Sequence, residues 1–224
     1  MRKKRIVIAG VLLAFLLGAT ACGQEEPSSE NPQAVVTNEA GQPVADGGAK
    51  EAVTDLDGNT LHLEEGEYNV IETDEGSILQ TVDYSLSMPK GWTAQEDSGR
   101  FSREDNEDAT VQVEKLGPTE GSNALDMISS NQRVVAEGLL EYFGDRAADA
   151  TVNYAQETLT DQQLDCRTVE VKVPVADGSI DFYAMYIYYV YKGELYKYDY
   201  VCAHGSYDPS VDPRQLLADS LSMK

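Results

Sequence analysis

The spacing of apolar residues along the chain predicts the order of its secondary-structure elements. Alternating segments bounded by polar or Gly-containing turns predict strands over residues 83–88, 92–96, 99–104 and 109–116. The period then changes to that of a helix, which begins at Ser122 or Asn123 and stops at Gly144. The apolar positions of this amphipathic helix are Leu125, Ile128, Val135, Leu139 and Tyr142.

The second half of the chain is rich in Val, Ile and Tyr and predicts a longer series of strands. These span residues 151–160, 164–173, 180–191 and 195–203. Hairpin turns at 176–179 and 192–194 separate the last three. A short helix follows, with Asp212 as its cap and Pro213 at its first position. The order of strands, helix, longer meander and helix predicts an α+β fold, an antiparallel β-sheet packed with helices.

The first 22 residues have a different pattern. Four basic residues, Arg2 to Arg5, precede the uncharged run Ile6–Ala21, and small residues stand directly before Cys22. The apolar core Ile6–Leu17 is shorter than the ~20 residues of a membrane-spanning helix, so a cleaved secretory signal peptide (residues 1–21) is favoured over a retained transmembrane helix.

This segment resembles the lipobox of bacterial lipoproteins, although Ala19 stands where that pattern prefers leucine. The resemblance implies that signal peptidase cuts before Cys22 and that Cys22 carries a diacylglyceryl group, with acyl chains such as palmitate. Two acyl chains give stable anchoring. The expected location is the extracytoplasmic face of the cell membrane, with the membrane as a partner through this anchor.

Residues 22–77 predict a lipidated, flexible, acidic linker. Tyr68 is the only aromatic and Lys50 the only basic residue between positions 23 and 77, so little apolar surface is available for burial. Two copies of V-T-[ND]-x-x-G-[NQ]-x-[VL], at 36–44 and 53–61, predict weak hairpin-like repeats. The folded domain is expected over residues 78–224.

The charge of the chain is strongly acidic. The full sequence has a net charge of −22, and the chain from Cys22 onward has 13 basic and 39 acidic residues, a net charge of −26. Nucleic-acid binding needs clustered Lys and Arg and is therefore excluded.

Four segments of the expected domain carry a family resemblance. They are DYSLSMPKGW (83–92), LDCRTVEVKV (164–173), KGELYKYDYVCA (192–203) and LLADSLSMK (216–224). Together with the strand and helix order they resemble the PsbP-like family and its bacterial lipoprotein relatives of the LpqN type. The resemblance implies an α/β/α sandwich that serves binding and assembly more than chemistry. We expect no cofactor.

The candidate metal and catalytic motifs are weak. Asp55–Asn59 begins like a calcium loop, but Thr60 and Gly66 stand where that loop needs Gly and Glu, which favours a simple turn. His62 and His204 have too few neighbouring ligands for zinc, so no metal site is predicted. The sequence His204–Ser206 indicates a loop that ends a strand. No catalytic residue is assigned, and we expect a protein that is not an enzyme.

Cys166 and Cys202 would normally form a disulfide outside the cytoplasm. Tight hairpin turns, however, place Cys166 opposite position 189, which faces position 196. Cys202 then lies two strands away and about six residues along, ~20 Å at ~3.3 Å per residue, beyond the ~7 Å limit for bridged Cα atoms. We therefore expect two buried, unbridged thiols.

The aromatic residues of the last hairpin have two interpretations. Tyrosine suits a half-buried sheet, and this structural interpretation is preferred. The alternative is an exposed platform that stacks on sugar rings of wall polymers. Its candidate ligand-binding residues are Trp92, Tyr183, Tyr189, Tyr191, Tyr196, Tyr198 and Tyr200.

The sequence thus predicts a membrane-anchored, non-enzymatic binding or assembly module of the cell envelope. Its expected partners are a cell-wall polymer or another envelope protein. The alternative is a receptor for a small ligand or a wall glycan, which would use the Tyr-rich sheet or a pocket between helix and sheet. A hydrolase of the envelope is disfavoured because no triad or carboxylate pair is found.

Overall fold

The computed structural model describes residues 51–54, 60–95, 98–119, 123–159 and 163–224. The predicted signal peptide, Cys22, the first repeat copy and the calcium-like turn at 55–59 lie outside the described residues. Two antiparallel strands, β1 (Glu51–Thr54) and β2 (Thr60–Leu63), pair across the second repeat copy. No helix among the described residues is long and apolar enough to cross a membrane.

Eleven further strands follow in the described part of the chain, most of them close to the predicted bounds. They are β3 (Asn69–Thr73), β4 (Gly76–Gln80), β5 (Tyr84–Pro89), β6 (Trp92–Gln95), β7 (Arg100–Arg103), β8 (Ala109–Pro118), β9 (Thr151–Leu159), β10 (Leu164–Pro174), β11 (Ile180–Tyr191), β12 (Glu194–Cys202) and β13 (Leu221–Met223).

The strands form two larger antiparallel sheets. The large sheet has seven strands in the order β6-β7-β8-β12-β11-β10-β9, and the small sheet has the order β13-β5-β4-β3. A two-residue turn at Lys192 and Gly193, both with positive φ, joins β11 to β12 and opposes Tyr191 to Glu194. Such a turn matches the twist of a hairpin and sets the register of both strands.

One face of the large sheet is covered in part by helix α1 (Ala124–Phe143), which packs on β10 and β11. The buried side chains of α1 are Ile128, Gln132, Ala136 and Phe143. The buried face of α1 therefore differs from the predicted apolar face by a rotation about the helix axis, since Leu125 and Tyr142 are exposed. Gln132 is buried because its amide donates to the Thr168 carbonyl at 2.9 Å, a partner that helical periodicity does not reveal.

The opposite face of the large sheet is covered by the small sheet and by helix α2 (Pro213–Ser220). Asp212 caps α2 as predicted, because its carboxylate accepts from the Arg214 backbone N–H at 2.9 Å. Leu217 of α2 joins the same core as Leu79, Leu86 and Met223 of the small sheet. The predicted α+β class, with antiparallel sheets and helices, is confirmed.

The predicted domain start at residue 78 needs correction. It lies inside β4 and separates β4 from β3, although Asn69–Thr73 pairs with Gly76–Gln80 over five residues. Ile71 and Ser77 are buried, so the segment before residue 78 contributes to the core. The low content of large apolar residues before residue 78 did not indicate this strand. A short edge strand needs few large apolar side chains once a neighbouring sheet covers it.

Candidate functional site

The aromatic residues proposed for glycan stacking lie inside the protein. Trp92, Tyr183, Tyr189, Tyr196, Tyr198 and Tyr200 are buried in the core between the two sheets, and half-buried Tyr191 packs against that core. Tyr189 stacks on Tyr196 with ring centroids 5.5 Å apart. The alternative interpretation, an exposed tyrosine platform, is therefore wrong. The small sheet and α2 cover this face, a layer that the sequence pattern did not place there.

The two cysteines are buried and unbridged, as predicted. Cys166 opposes Tyr189, and Tyr189 opposes Tyr196, which is the expected register. Burial raises the pKa of the Cys166 thiol to about 12, and it raises that of Cys202 as well. Neither thiol is therefore poised as a nucleophile, because the thiolate is the reactive form.

Neither histidine belongs to a metal-binding group in the described part of the chain. His62 and His204 are exposed, and no group of three or more metal-binding side chains occurs within the described ranges. His204, with positive φ, belongs to the turn that follows β12, where the Ser206 N–H donates to the Ala203 carbonyl at 3.0 Å. The predicted strand-ending loop is confirmed.

An open cleft of about 580 Å³ lies where the small sheet meets the large sheet. Four segments and one further residue line this inter-sheet cleft: 65–68, 81–84, 98–99, 112–118 and Glu194. Gly99 has positive φ, and a Cβ there would come within 3.1 Å of the Tyr68 ring. Glycine at this position thus lets Tyr68 pack at the wall of the cleft.

Lys115 is the central charged group of the inter-sheet cleft. Its ammonium lies 3.1 Å from a Glu65 carboxylate oxygen and 3.4 Å from one of Asp83. Burial disfavours the ammonium, but the hydrogen bond to Glu65 and the charge of Asp83 outweigh burial and raise the pKa of Lys115. Lys115 therefore stays charged and is held between two acids.

The lining of the inter-sheet cleft is acidic. Lys115 is its single basic residue, against the four acids Glu65, Glu67, Asp83 and Glu194. Glu114 also borders the cleft, but its carboxylate lies on the opposite face of the large sheet, 2.8 Å from the Lys197 ammonium. Beneath the charged groups, the Tyr84 hydroxyl donates to the Val113 carbonyl at 3.0 Å and fixes the wall to β8. Burial, followed by the charge of Asp83, raises the pKa of Tyr196 to about 12, so its hydroxyl stays neutral. The cleft therefore presents negative charge in a concave surface, which favours a cationic group.

A second charged group, the Lys197 cluster, consists of Glu114, Lys197 and Asp199 on the opposite face of the large sheet. The Lys197 ammonium lies 2.8 Å from Glu114 and 3.1 Å from Asp199. Burial raises the pKa of Asp199 to about 7 even though Lys197 acts against this shift. One ammonium shared by two carboxylates cannot fully compensate both, so the more deeply buried acid binds a proton more readily.

Sequence reasoning missed both charged groups. Glu65, Asp83, Lys115 and Glu194 come from distant segments, and each alone resembles an ordinary solvated charge. In β12, Lys197 and Asp199 alternate with tyrosines. This alternation indicates that Lys197 and Asp199 lie on the face of β12 opposite the tyrosines.

The described residues define an α+β protein with two larger antiparallel sheets, a two-stranded antiparallel sheet and two α-helices. No protein-family model and no curated protein matches the chain. Among solved structures, it is similar to the solution structure of cyanobacterial PsbP (CyanoP) from Synechocystis sp. PCC 6803. The sequences are 14% identical, the alignment covers 70% of this chain and 93% of that chain, and the TM-score is 0.44. At that TM-score the similarity transfers no residue role or activity.

Proposed function

We propose that the chain is a lipid-anchored, non-enzymatic binding module on the extracytoplasmic face of the cell membrane. The anchor rests on the basic residues, the uncharged run and the small residues before Cys22. The binding role rests on one observation, the concave inter-sheet cleft with four acids around a single lysine that two of them already engage. We infer a cationic partner, such as a basic segment of another envelope protein.

The small-ligand receptor is the second candidate, in a form that no longer uses the tyrosines. A volume of about 580 Å³ falls within the usual ~300–1,000 Å³ of small-molecule sites. Such sites enclose their ligand, whereas this cleft is open and carries Lys115 and four acids at its surface. A polyamine or an amino-bearing wall glycan fits that lining better than a neutral sugar does.

The anchor is tested by metabolic labelling with an alkyne-tagged palmitate analogue. Wild-type protein should carry the label and fractionate with membranes, whereas Cys22→Ala should lose the label and remain an uncleaved or soluble form, because the acyl chains supply the membrane affinity. Cys166→Ala, which removes a buried thiol, should be labelled like wild type. Label that persists in Cys22→Ala would refute lipidation at this position.

The cleft is tested by titrating spermine into the mature chain in detergent micelles, with calorimetric detection. Glu65→Gln, Glu67→Gln and Glu194→Gln together should weaken spermine binding about tenfold or more, since three modest charge contacts add to roughly 1.4 kcal/mol or above. A matched control removes three acids on or just after α1, by Glu137→Gln, Glu141→Gln and Asp145→Asn. Equal losses in the two triple variants would mean that net charge alone attracts the cation.

A further inference from the structure

The outer edge of β9 is the long unpaired edge among the described strands. β9 has nine residues and pairs with β10 on one side over Thr151–Leu159 without a bulge, and no other described strand pairs with it. The other sheet edges are much shorter, with four residues in β6, five in β3 and three in β13. A long, regular edge strand is a template for pairing with another strand unless charges, proline or a bulge protect it.

The β9 edge lacks those protections. Its sequence TVNYAQETL contains no proline and one charged residue, Glu157. The carboxylate of Glu157 lies 2.8 Å from the Arg214 guanidinium, and Arg167 of the neighbouring strand bonds Gln156. In a chain with a net charge of −22, this edge is thus close to neutral. Charge repulsion between two copies is therefore small at this edge.

Apolar surface accompanies the β9 edge. Tyr154 is 56% exposed, and Leu125 of α1, 55% exposed, lines the same shallow groove between α1 and β9. Large aromatic and aliphatic side chains exposed next to an unpaired strand supply contact area in addition to the backbone hydrogen bonds.

We propose that β9 pairs antiparallel with β9 of a second copy of this chain, on a twofold axis at Ala155. The strand is self-complementary in this register. Ala155 opposes itself, and the remaining opposed pairs between the two copies are Tyr154 with Gln156, Asn153 with Glu157, Val152 with Thr158 and Thr151 with Leu159. No like charges face each other, and Glu157 meets an amide that can donate to it. The pairing would be isologous and closed, which joins two large sheets without forming an open fibre.

This assembly goes beyond the proposed cleft function, but it rests on the proposed anchor in one respect. A single strand edge buries less area than stable dimers need, so pairing in dilute solution is expected to be weak. Confinement of the chains to one membrane raises their effective concentration and favours the paired form.

The test is disulfide trapping of the full chain in cells. In the proposed register the two Ala155 Cα atoms lie about 4.5–5.5 Å apart, within disulfide range. Ala155→Cys should therefore give a disulfide-linked homodimer on mild oxidation. Thr151→Cys should not, because the two copies of residue 151 lie roughly 26 Å apart at ~3.3 Å per residue. The chain without an introduced cysteine gives the background amount of disulfide-linked homodimer that its own cysteines form.

A second pair of variants separates edge pairing from collision in the membrane. Tyr154→Lys, combined with Ala155→Cys, should reduce the dimer yield several-fold, because a lysine on the edge opposes strand pairing. Tyr142→Lys combined with Ala155→Cys is the matched control, since Tyr142 is 59% exposed on α1 and lies off the β9 edge. The dimer yield of this control should equal that of Ala155→Cys alone.

Three outcomes would overturn the proposal. They are the absence of homodimer with Ala155→Cys, equal trapping at positions 151 and 155, and trapping at 155 of a different protein. Palmitate labelling of the same cells shows independently whether the anchor is present, so failure of edge pairing is distinguishable from failure of the proposed anchor.

Discussion

Tyr198→Ala is expected to lower the free energy of unfolding by about 3–5 kcal/mol, the usual cost of truncating a large buried aromatic residue. Tyr198 lies in β12 at the centre of the large sheet and is buried between the two sheets. Its removal leaves a cavity that β8 and β11 cannot close, because both strands are held by their own neighbours. Denaturant-induced unfolding of the wild-type and variant chains measures the difference.

Two substitutions control the Tyr198 experiment. Tyr154→Ala removes an exposed tyrosine from the same sheet and should change stability by about 0.5 kcal/mol or less. Tyr198→Phe keeps the ring, and it should retain most of the stability because the hydroxyl has no hydrogen-bond partner among the described atoms. A cost below about 1 kcal/mol for Tyr198→Ala would show that this face is not core.

Asp199→Asn is expected to stabilise the protein at pH 8. Burial raises the pKa of Asp199 from 3.8 to about 7, so the native state holds its proton more tightly than the unfolded chain does. Between these two pKa values the native state binds more protons, and stability therefore falls as pH rises from about 4 to 7. Above pH 7 the native protein contains a buried carboxylate at its full cost, which asparagine does not impose.

The size and pH dependence of the Asp199 effect can be measured by unfolding at pH 5 and pH 8. Since one pKa unit corresponds to about 1.4 kcal/mol, the gain at pH 8 should be on the order of a few kcal/mol and smaller at pH 5. The gain is reduced by whatever Lys197 loses, because its ammonium then faces Glu114 as its remaining carboxylate.

Asp177→Asn is the matched control, with a pKa shift of opposite sign. Hydrogen bonds from the Ser179 hydroxyl and backbone N–H, at 2.7 and 2.9 Å, lower the pKa of Asp177 in its exposed turn. Its contribution to stability is present at neutral pH and is lost as pH falls through the lowered pKa. Asp177→Asn should therefore slightly destabilise the protein at pH 8. Equal effects of both substitutions would contradict the burial argument for Asp199.

The C-terminal hairpins could be predicted from the sequence because their determinants are local. Gly193 and the residues beside it define a two-residue turn, and the turn sets which residues of β11 and β12 oppose each other. The separation of Cys166 and Cys202 follows from that register together with the register of the β10–β11 hairpin. For the same reason Asp212 and Pro213 were sufficient to predict the start of α2.

The small sheet could not be predicted as a layer, because its strands gain their stability from distant partners. Leu221–Met223 looks like the end of α2, yet it pairs with β5, more than 130 residues earlier in the chain. Asn69–Thr73 is polar enough to resemble a linker, and its strand conformation depends on β4. This unrecognised layer decides that the tyrosines on the facing side of β11 and β12, such as Tyr183, Tyr189 and Tyr198, are core residues.

The sequence by itself determined the α+β class, the hairpin register, the unbridged cysteines and the acidic character of the chain, since each depends on neighbours within one or two elements or on composition. Only the tertiary structure decided which sheet face is covered, which face of α1 is buried, and that Glu65, Asp83 and Glu194 surround Lys115. These features depend on contacts between distant segments, and long-range packing brings such segments together according to total buried surface, which no local pattern encodes.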